Sequence, residues 1–119
     1  MRVVRFTRRF AIFSSIAKLR TAIKKHGIKQ VDFKFTDLFG RWHHITVPPS
    51  RVNEKLLTNG VGFDGSNFAG MSAVESGDLA FVPELKTGYF DPFRTEPALS
   101  FICRIVEADS KKPFSRDPR

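Results

Sequence analysis

VDFKFTDLFGRWHHITVP, Val31 to Pro48, is the stretch in which the chain settles into a period of two. Val31, Phe33 and Phe35 alternate with Asp32, Lys34 and Thr36, which predicts a strand with one face in a core. Asp37-Leu38-Phe39-Gly40 has the composition of a hairpin turn, and Arg41 to Val47 reads as the returning strand. Pro48-Pro49 stops it, because proline offers no N–H to a ladder. The adjacent His43 and His44 do not form a metal pair on this reading. Neighbours on a strand point to opposite faces, and no Cys, Asp or Glu lies in the same run.

Upstream, the period is helical. Ser14 and Ser15 are good N-caps, and Ile16, Leu19, Ala22 and Ile23 follow at helical spacing. Lys24, Lys25 and His26 suit the negative end of a helix dipole, and Gly27 stands where a helix ends. The Ile16, Leu19 and Ile23 stripe is expected to lie on a sheet, with Lys18, Lys25 and Lys29 in solvent. Downstream, Ser50 is the expected cap of a short helix through Leu57 that ends at Asn59-Gly60. Asp78 to Pro83 reads as a strand, Lys86-Thr87-Gly88 as a turn, and Tyr89 to Phe93 as a short extended piece whose Pro92 favours an edge. Leu99 to Val106, LSFICRIV, is the longest apolar strand and should lie centrally. From Asp109 the composition is that of a loop. The order αββαβββ predicts an α+β domain in which one main helix packs across a mixed sheet.

The chain has 119 residues, enough for one modest core. Thirteen Phe residues against one Trp and one Tyr make its apolar set aromatic, so it should be globular. The single Cys103 sits in the apolar run and is expected to be a buried, inert thiol in a reducing compartment. The net charge of +8 suggests nucleic acid until its distribution is read. Residues 1 to 29 carry nine Lys and Arg and no acid, which leaves eleven bases against twelve acids in the remainder. All the excess therefore belongs to a basic arm and the first helix. Met1 to Phe13 is read as a flexible basic tail ahead of a targeting signal. A nucleic-acid face would need Trp42, Phe33 and Phe35 as a stacking platform, and their alternation with polar residues is explained by an ordinary core. No apolar run approaches the length of a bilayer span.

Between the second helix and the Asp78 strand lies Gly62-Phe63-Asp64-Gly65-Ser66-Asn67-Phe68-Ala69-Gly70. It places one carboxylate at the end of a short apolar run, where Gly65, Ser66 and Asn67 let the chain turn sharply. Such an Asp is presented outward. Its bland alternative is an Asp that serves only its own turn.

VDFKFTDLFGRWHHITVP, VGFDGSN, GDLAFVPELKTGYFDPF, ALSFICRIVEA and PFSRDPR occur in the order and spacing of the amino-terminal domain of bacterial and archaeal glutamine synthetases, which the chain resembles from its first helix to Arg119. The resemblance implies a β-grasp-like mixed sheet with one main helix across it. Its implied division is a basic tail over 1–13, the β-grasp-like domain over 14–108, and a loop over 109–119 leading to a catalytic domain this chain does not contain. It implies ATP-dependent ligation of ammonia to glutamate in glutamine biosynthesis and nitrogen metabolism, in the cytoplasm. By the same resemblance Asp64 is the catalytic aspartate of the ammonium site, lent to a neighbouring subunit of a ring. Ser66 and Asn67 are weaker substrate-binding groups of the same loop. No cofactor is assigned to this chain; ATP and Mg or Mn belong to the full enzyme. Departures occur where the family usually has a second Ser, here Asn67, and a Ser-Asp pair, here Gly77-Asp78, while a position often aromatic corresponds to Met71. They leave open a γ-glutamyl-amine ligase using another acceptor. An alternative of a different class is a freestanding β-grasp interaction module without catalysis. The isolated chain is expected to be inactive.

Overall fold

The computed structural model describes residues 13–64 and 78–118. Helix α1, Ile16–Lys25, begins where Ser15 is extended and its Oγ accepts the Lys18 N–H at 3.3 Å. It ends where the Ile28 N–H reaches the Ile23 carbonyl at 3.0 Å, a closure that needs the left-handed backbone of Gly27. Leu19 is its buried residue, and Ala22 and Ile23 pack beside it against the core. The expected stripe thus holds, shifted away from Ile16.

Strands β1, Gln30–Thr36, and β2, Trp42–Val47, form the expected antiparallel hairpin, with Val31 opposite Val47 and Thr36 opposite Trp42. After a 3₁₀ turn at Pro49–Arg51 comes α2, Glu54–Asn59. Its cap is Asn53, whose Oδ1 accepts the Leu56 N–H at 2.8 Å, and not Ser50. Ser50 falls inside the 3₁₀ turn, which the neighbouring prolines favour and which delays the helix until the buried Val52 is anchored. Strands β3, Val61–Asp64, β4, Asp78–Pro83, β5, Tyr89–Phe90, and β6, Ala98–Glu107, complete a six-stranded sheet. The sheet has one strand more than expected, because Val61–Asp64 pair with β4.

The strand order is β2-β1-β6-β4-β3, with β5 also paired to β6. β1 and β6 run parallel, and the other pairs are antiparallel. β6 is central, as expected of the longest apolar strand. The mixed sheet with α1 across it is a β-grasp domain, of the α+β class.

The core lies between α1 and one sheet face, where Val31, Phe33, Leu99 and Phe101 are inaccessible to solvent. Burial of each Phe is worth roughly 1.5–3 kcal/mol relative to exposure. Phe13, assigned by sequence to the basic tail, belongs to this core: its ring lies 6.0 Å from that of Phe101, and its N–H reaches the Leu85 carbonyl. Cys103 is buried, as expected. The segment after β6 is not a detached loop. Phe114 packs on the core, its N–H meets the Ile105 carbonyl at 3.0 Å, and Asp117 Oδ2 accepts the Ile105 N–H at 2.8 Å.

The other sheet face is where the alternation misled. Asp32 is not a solvated strand residue but a buried one, fully inaccessible. A segment 60 residues downstream, through Arg94, covers it.

At Gly60, φ is +75° and an added Cβ would lie 2.5 Å from the Phe81 carbonyl oxygen, whereas at Gly27, φ +60°, nothing stands within 4 Å. Gly27→Ala should cost about 1 kcal/mol of backbone strain. Gly60→Ala should cost clearly more, beyond roughly 1–3 kcal/mol, since backbone must move as well. Urea denaturation of the two variants checks the order, and equal midpoints would contradict it.

Candidate functional site

Asp64 is the last residue of β3, the strand that closes one end of the sheet order. Its direction follows from the residue before it. Phe63 turns into an aromatic cluster, 5.1 Å from Phe35 and 5.4 Å from Phe81, so the next side chain must point to the opposite face. Asp64 is accordingly exposed. Gly62, at the preceding position of the same face, leaves that side of the strand open. Ser66 and Asn67, with Met71 and Gly77, lie outside the described residues.

The pairing of β3 with β4 sets Asp64 directly opposite Asp78, also exposed. By sequence Asp78 reads as the start of a strand and as part of the Gly77-Asp78 pair, with no link to Asp64. Residues facing one another across an antiparallel pair share a face, and like charges so placed repel. A cation held between them relieves that repulsion. An exposed carboxylate at this edge can attract a cation and can accept a proton.

The two histidines of β2 are used separately. His43 Nε2 donates to Asp37 Oδ2 at 2.8 Å, and its ring stacks on Phe35 at 5.3 Å. His44, on the other face, donates from Nδ1 to Asp32 Oδ1 at 2.9 Å. Among the described residues no group of three or more His, Cys, Asp or Glu could hold a metal ion.

Asp37 closes the hairpin. Its Oδ1 accepts the Phe39 and Arg41 N–H groups at 2.8 and 3.0 Å, and the Gly40 N–H reaches its carbonyl. The His43 hydrogen bond, with those two backbone donors, holds its carboxyl below the usual range against the opposing effect of burial.

Asp32 organises the second face. It accepts from His44, from Thr46 Oγ1 at 3.0 Å and from Arg94 Nη2 at 2.8 Å, with Lys34 Nζ 3.9 Å away. Asp91 lies 3.6 Å from both Lys34 Nζ and Arg94 Nε. Burial opposes its charge, but the Phe93 N–H and the two cations outweigh burial and hold its pKa below the ordinary value. Burial likewise opposes the Lys34 charge, yet the Tyr89 hydroxyl and the two aspartates raise its pKa. Nothing local in the sequence signalled this network, since its halves lie about 60 residues apart.

The family described as the β-grasp domain of glutamine synthetase matches residues 27–108. A 3-hydroxylaminophenol mutase from Cupriavidus pinatubonensis is 38% identical over 105 residues, covering 88% of this chain and 22% of that protein. A glutamine synthetase from Azorhizobium caulinodans is 39% identical over 97 residues, covering 82% of this chain and 21% of its own. In structure, a Plasmodium falciparum glutamine synthetase solved by cryo-electron microscopy superposes with a TM-score of 0.81 at 22% identity, over 93% of this chain and 22% of that one. The chain thus spans about a fifth of the length of the curated relatives it matches.

Because the Asp37 pKa is depressed in the folded state, its charge stabilises the hairpin at pH values above the ordinary carboxylate range, and that contribution is lost as pH falls through the depressed value. Asp37→Asn keeps the acceptor for Phe39 and Arg41 but loses the charge facing His43. The wild-type advantage in urea midpoint should therefore be present at weakly acidic pH and vanish in strong acid. A difference independent of pH would contradict this.

Proposed function

Because this chain belongs to the glutamine synthetase β-grasp domain family, we propose that it supplies one side of an ammonium site, with Asp64 as the catalytic carboxylate. The observation that carries the reading is the placement of Asp64: exposed, at the end of an edge strand, opposite a second carboxylate, Asp78. Ammonium has no lone pair for attack. A carboxylate at hydrogen-bonding distance holds the cation and accepts one proton, and neutral ammonia then attacks the γ-carbonyl of γ-glutamyl phosphate as phosphate leaves. A carboxylate is a weak base toward ammonium in water, so the transfer requires a site from which water is excluded. A single edge strand cannot enclose such a site. The remainder comes, on this reading, from a catalytic domain in a neighbouring subunit of a ring, which also binds ATP and Mg or Mn. Ser66 and Asn67 complete the loop beside Asp64 as polar groups for the substrate.

Further assignments follow from this reading: glutamine biosynthesis within nitrogen metabolism, a cytoplasmic location, a basic tail that stops short of the buried Phe13, and the connection over 109–119 toward a catalytic domain. No helix among the described residues is long and apolar enough to cross a membrane. Phe33 and Phe35 are buried, so they cannot serve as a stacking platform for nucleic acid. A relative named as a mutase shares the domain, so the reaction is read from Asp64 and its surroundings rather than from the fold.

Two assays test the proposal. The pure 119-residue chain should form no glutamine from glutamate, ammonia and ATP; formation would contradict it. Grafted in place of the corresponding domain of the A. caulinodans enzyme, the chain should support synthesis. Asp64→Asn in that chimera should lower kcat by roughly 10²–10⁴-fold, as expected for loss of a proton acceptor. An unchanged kcat would overturn the assignment.

A further inference from the structure

Away from Asp64, the second face of the sheet carries a cleft of about 440 Å³ between the β1–β2 hairpin and the segment from Tyr89 to Arg94. That volume lies within the range of small-molecule sites. Trp42 stands on one side and Phe93 on the other, 58% and 93% exposed, with Tyr89 and Ile102 between them. Aromatic rings left this open offer faces for a planar group.

The charges are layered. The side chains of Asp32 and Asp91 are 1% and 5% exposed, while those of Lys34 and Arg94 are 22% and 31% exposed. A ligand entering the cleft therefore meets Lys34 and Arg94 more than Asp91, which also lines it, while Asp32 lies beneath. Arg94 uses Nη2 on Asp32 and turns Nε toward Asp91, and no partner among the described residues meets its Nη1. Lys34 is held by the Tyr89 hydroxyl at 2.8 Å. These donors are fixed before any ligand arrives, so little ordering is required on binding. On the same face, in register with both Asp32 and Tyr89, the Ser100 hydroxyl is buried and has no hydrogen-bond partner among the described residues.

We propose that this cleft is a binding site for a small aromatic carboxylate, its ring between Trp42 and Phe93 and its carboxylate on Arg94 and Lys34. The guanidinium edge suits a planar acceptor. The Asp91 carboxylate beside the two cations limits the negative charge the cleft can accept, which disfavours a dianion. The inference does not depend on the ammonium-site reading, since none of its residues adjoins Asp64.

Trp42 is the chain's only tryptophan, so its fluorescence reports on the cleft directly. Titration of the full chain with benzoate should quench it saturably, with a dissociation constant in the millimolar range expected for so small a ligand. Benzamide, the neutral counterpart, should bind at least about tenfold more weakly, the value of a charge-assisted hydrogen bond. Acetate and inorganic phosphate should produce no comparable quench. Phe93→Ala, at a side chain too exposed to affect folding, should weaken benzoate about five-fold. Arg94→Gln should weaken it further, with circular dichroism to show that the sheet persists. Absence of saturable quenching, equal affinity for benzoate and benzamide, or unchanged affinity in Phe93→Ala would each overturn the proposal.

Discussion

The parallel pairing of β1 with β6 is the constraint on which the rest depends. It joins residues nearly 70 positions apart, Val31 beside Leu99 and Phe33 beside Phe101, and every other element takes its place from that pair. On one face those four side chains meet α1 and exclude water. On one flank, β1 carries the β2 hairpin. On the other, β6 carries β4, and β4 carries β3 with Asp64 at its end. Long-range pairing of this kind costs loop-closure entropy, which the buried Phe and Leu side chains must offset.

The same pair places a charge where charge is expensive. Asp32 points away from the hydrophobic core yet is fully covered, and an uncompensated buried carboxylate would cost several kcal/mol. Hydrogen bonds from His44, Thr46 and Arg94, together with the nearby Lys34 ammonium, compensate it. Because Arg94 arrives from beyond β5 and His44 from β2, the network ties three parts of the sheet across one face. A buried ion network adds little net stability against an apolar alternative. Its contribution is positional: it fixes the segment from Tyr89 to Arg94 over the hairpin and shapes the cleft between them.

Much of this was legible in the chain itself. Alternation over Val31 to Val47 specified the hairpin, the apolar run at Leu99 specified the central strand, and Ser15 and Gly27 marked both ends of α1. What alternation could not specify was which polar residues face water. Asp32, Lys34 and Thr36 occupy equivalent positions in the pattern, but only Asp32 is fully buried, because its cover comes from a distant segment. The cap of α2 was missed for a local reason, since Ser50 and Asn53 are both good caps and the 3₁₀ turn decides between them. Asp64 was recognised as presented from its turn-forming neighbours, but Asp78 opposite it depended on a strand pairing with no sequence signature.

The direct test of the central claim, that this domain lends Asp64 to a site completed by another subunit, is complementation in mixed oligomers of the chimera. One species would carry Asp64→Asn, and the other an intact Asp64 beside an inactivated catalytic domain. If Asp64 serves the neighbouring subunit, two inactive species assembled together regain glutamine synthesis, because some interfaces then combine an intact Asp64 with an intact catalytic domain. If mixing restores no activity while mixed assembly is verified, Asp64 does not act across the interface, and the account of this domain is wrong.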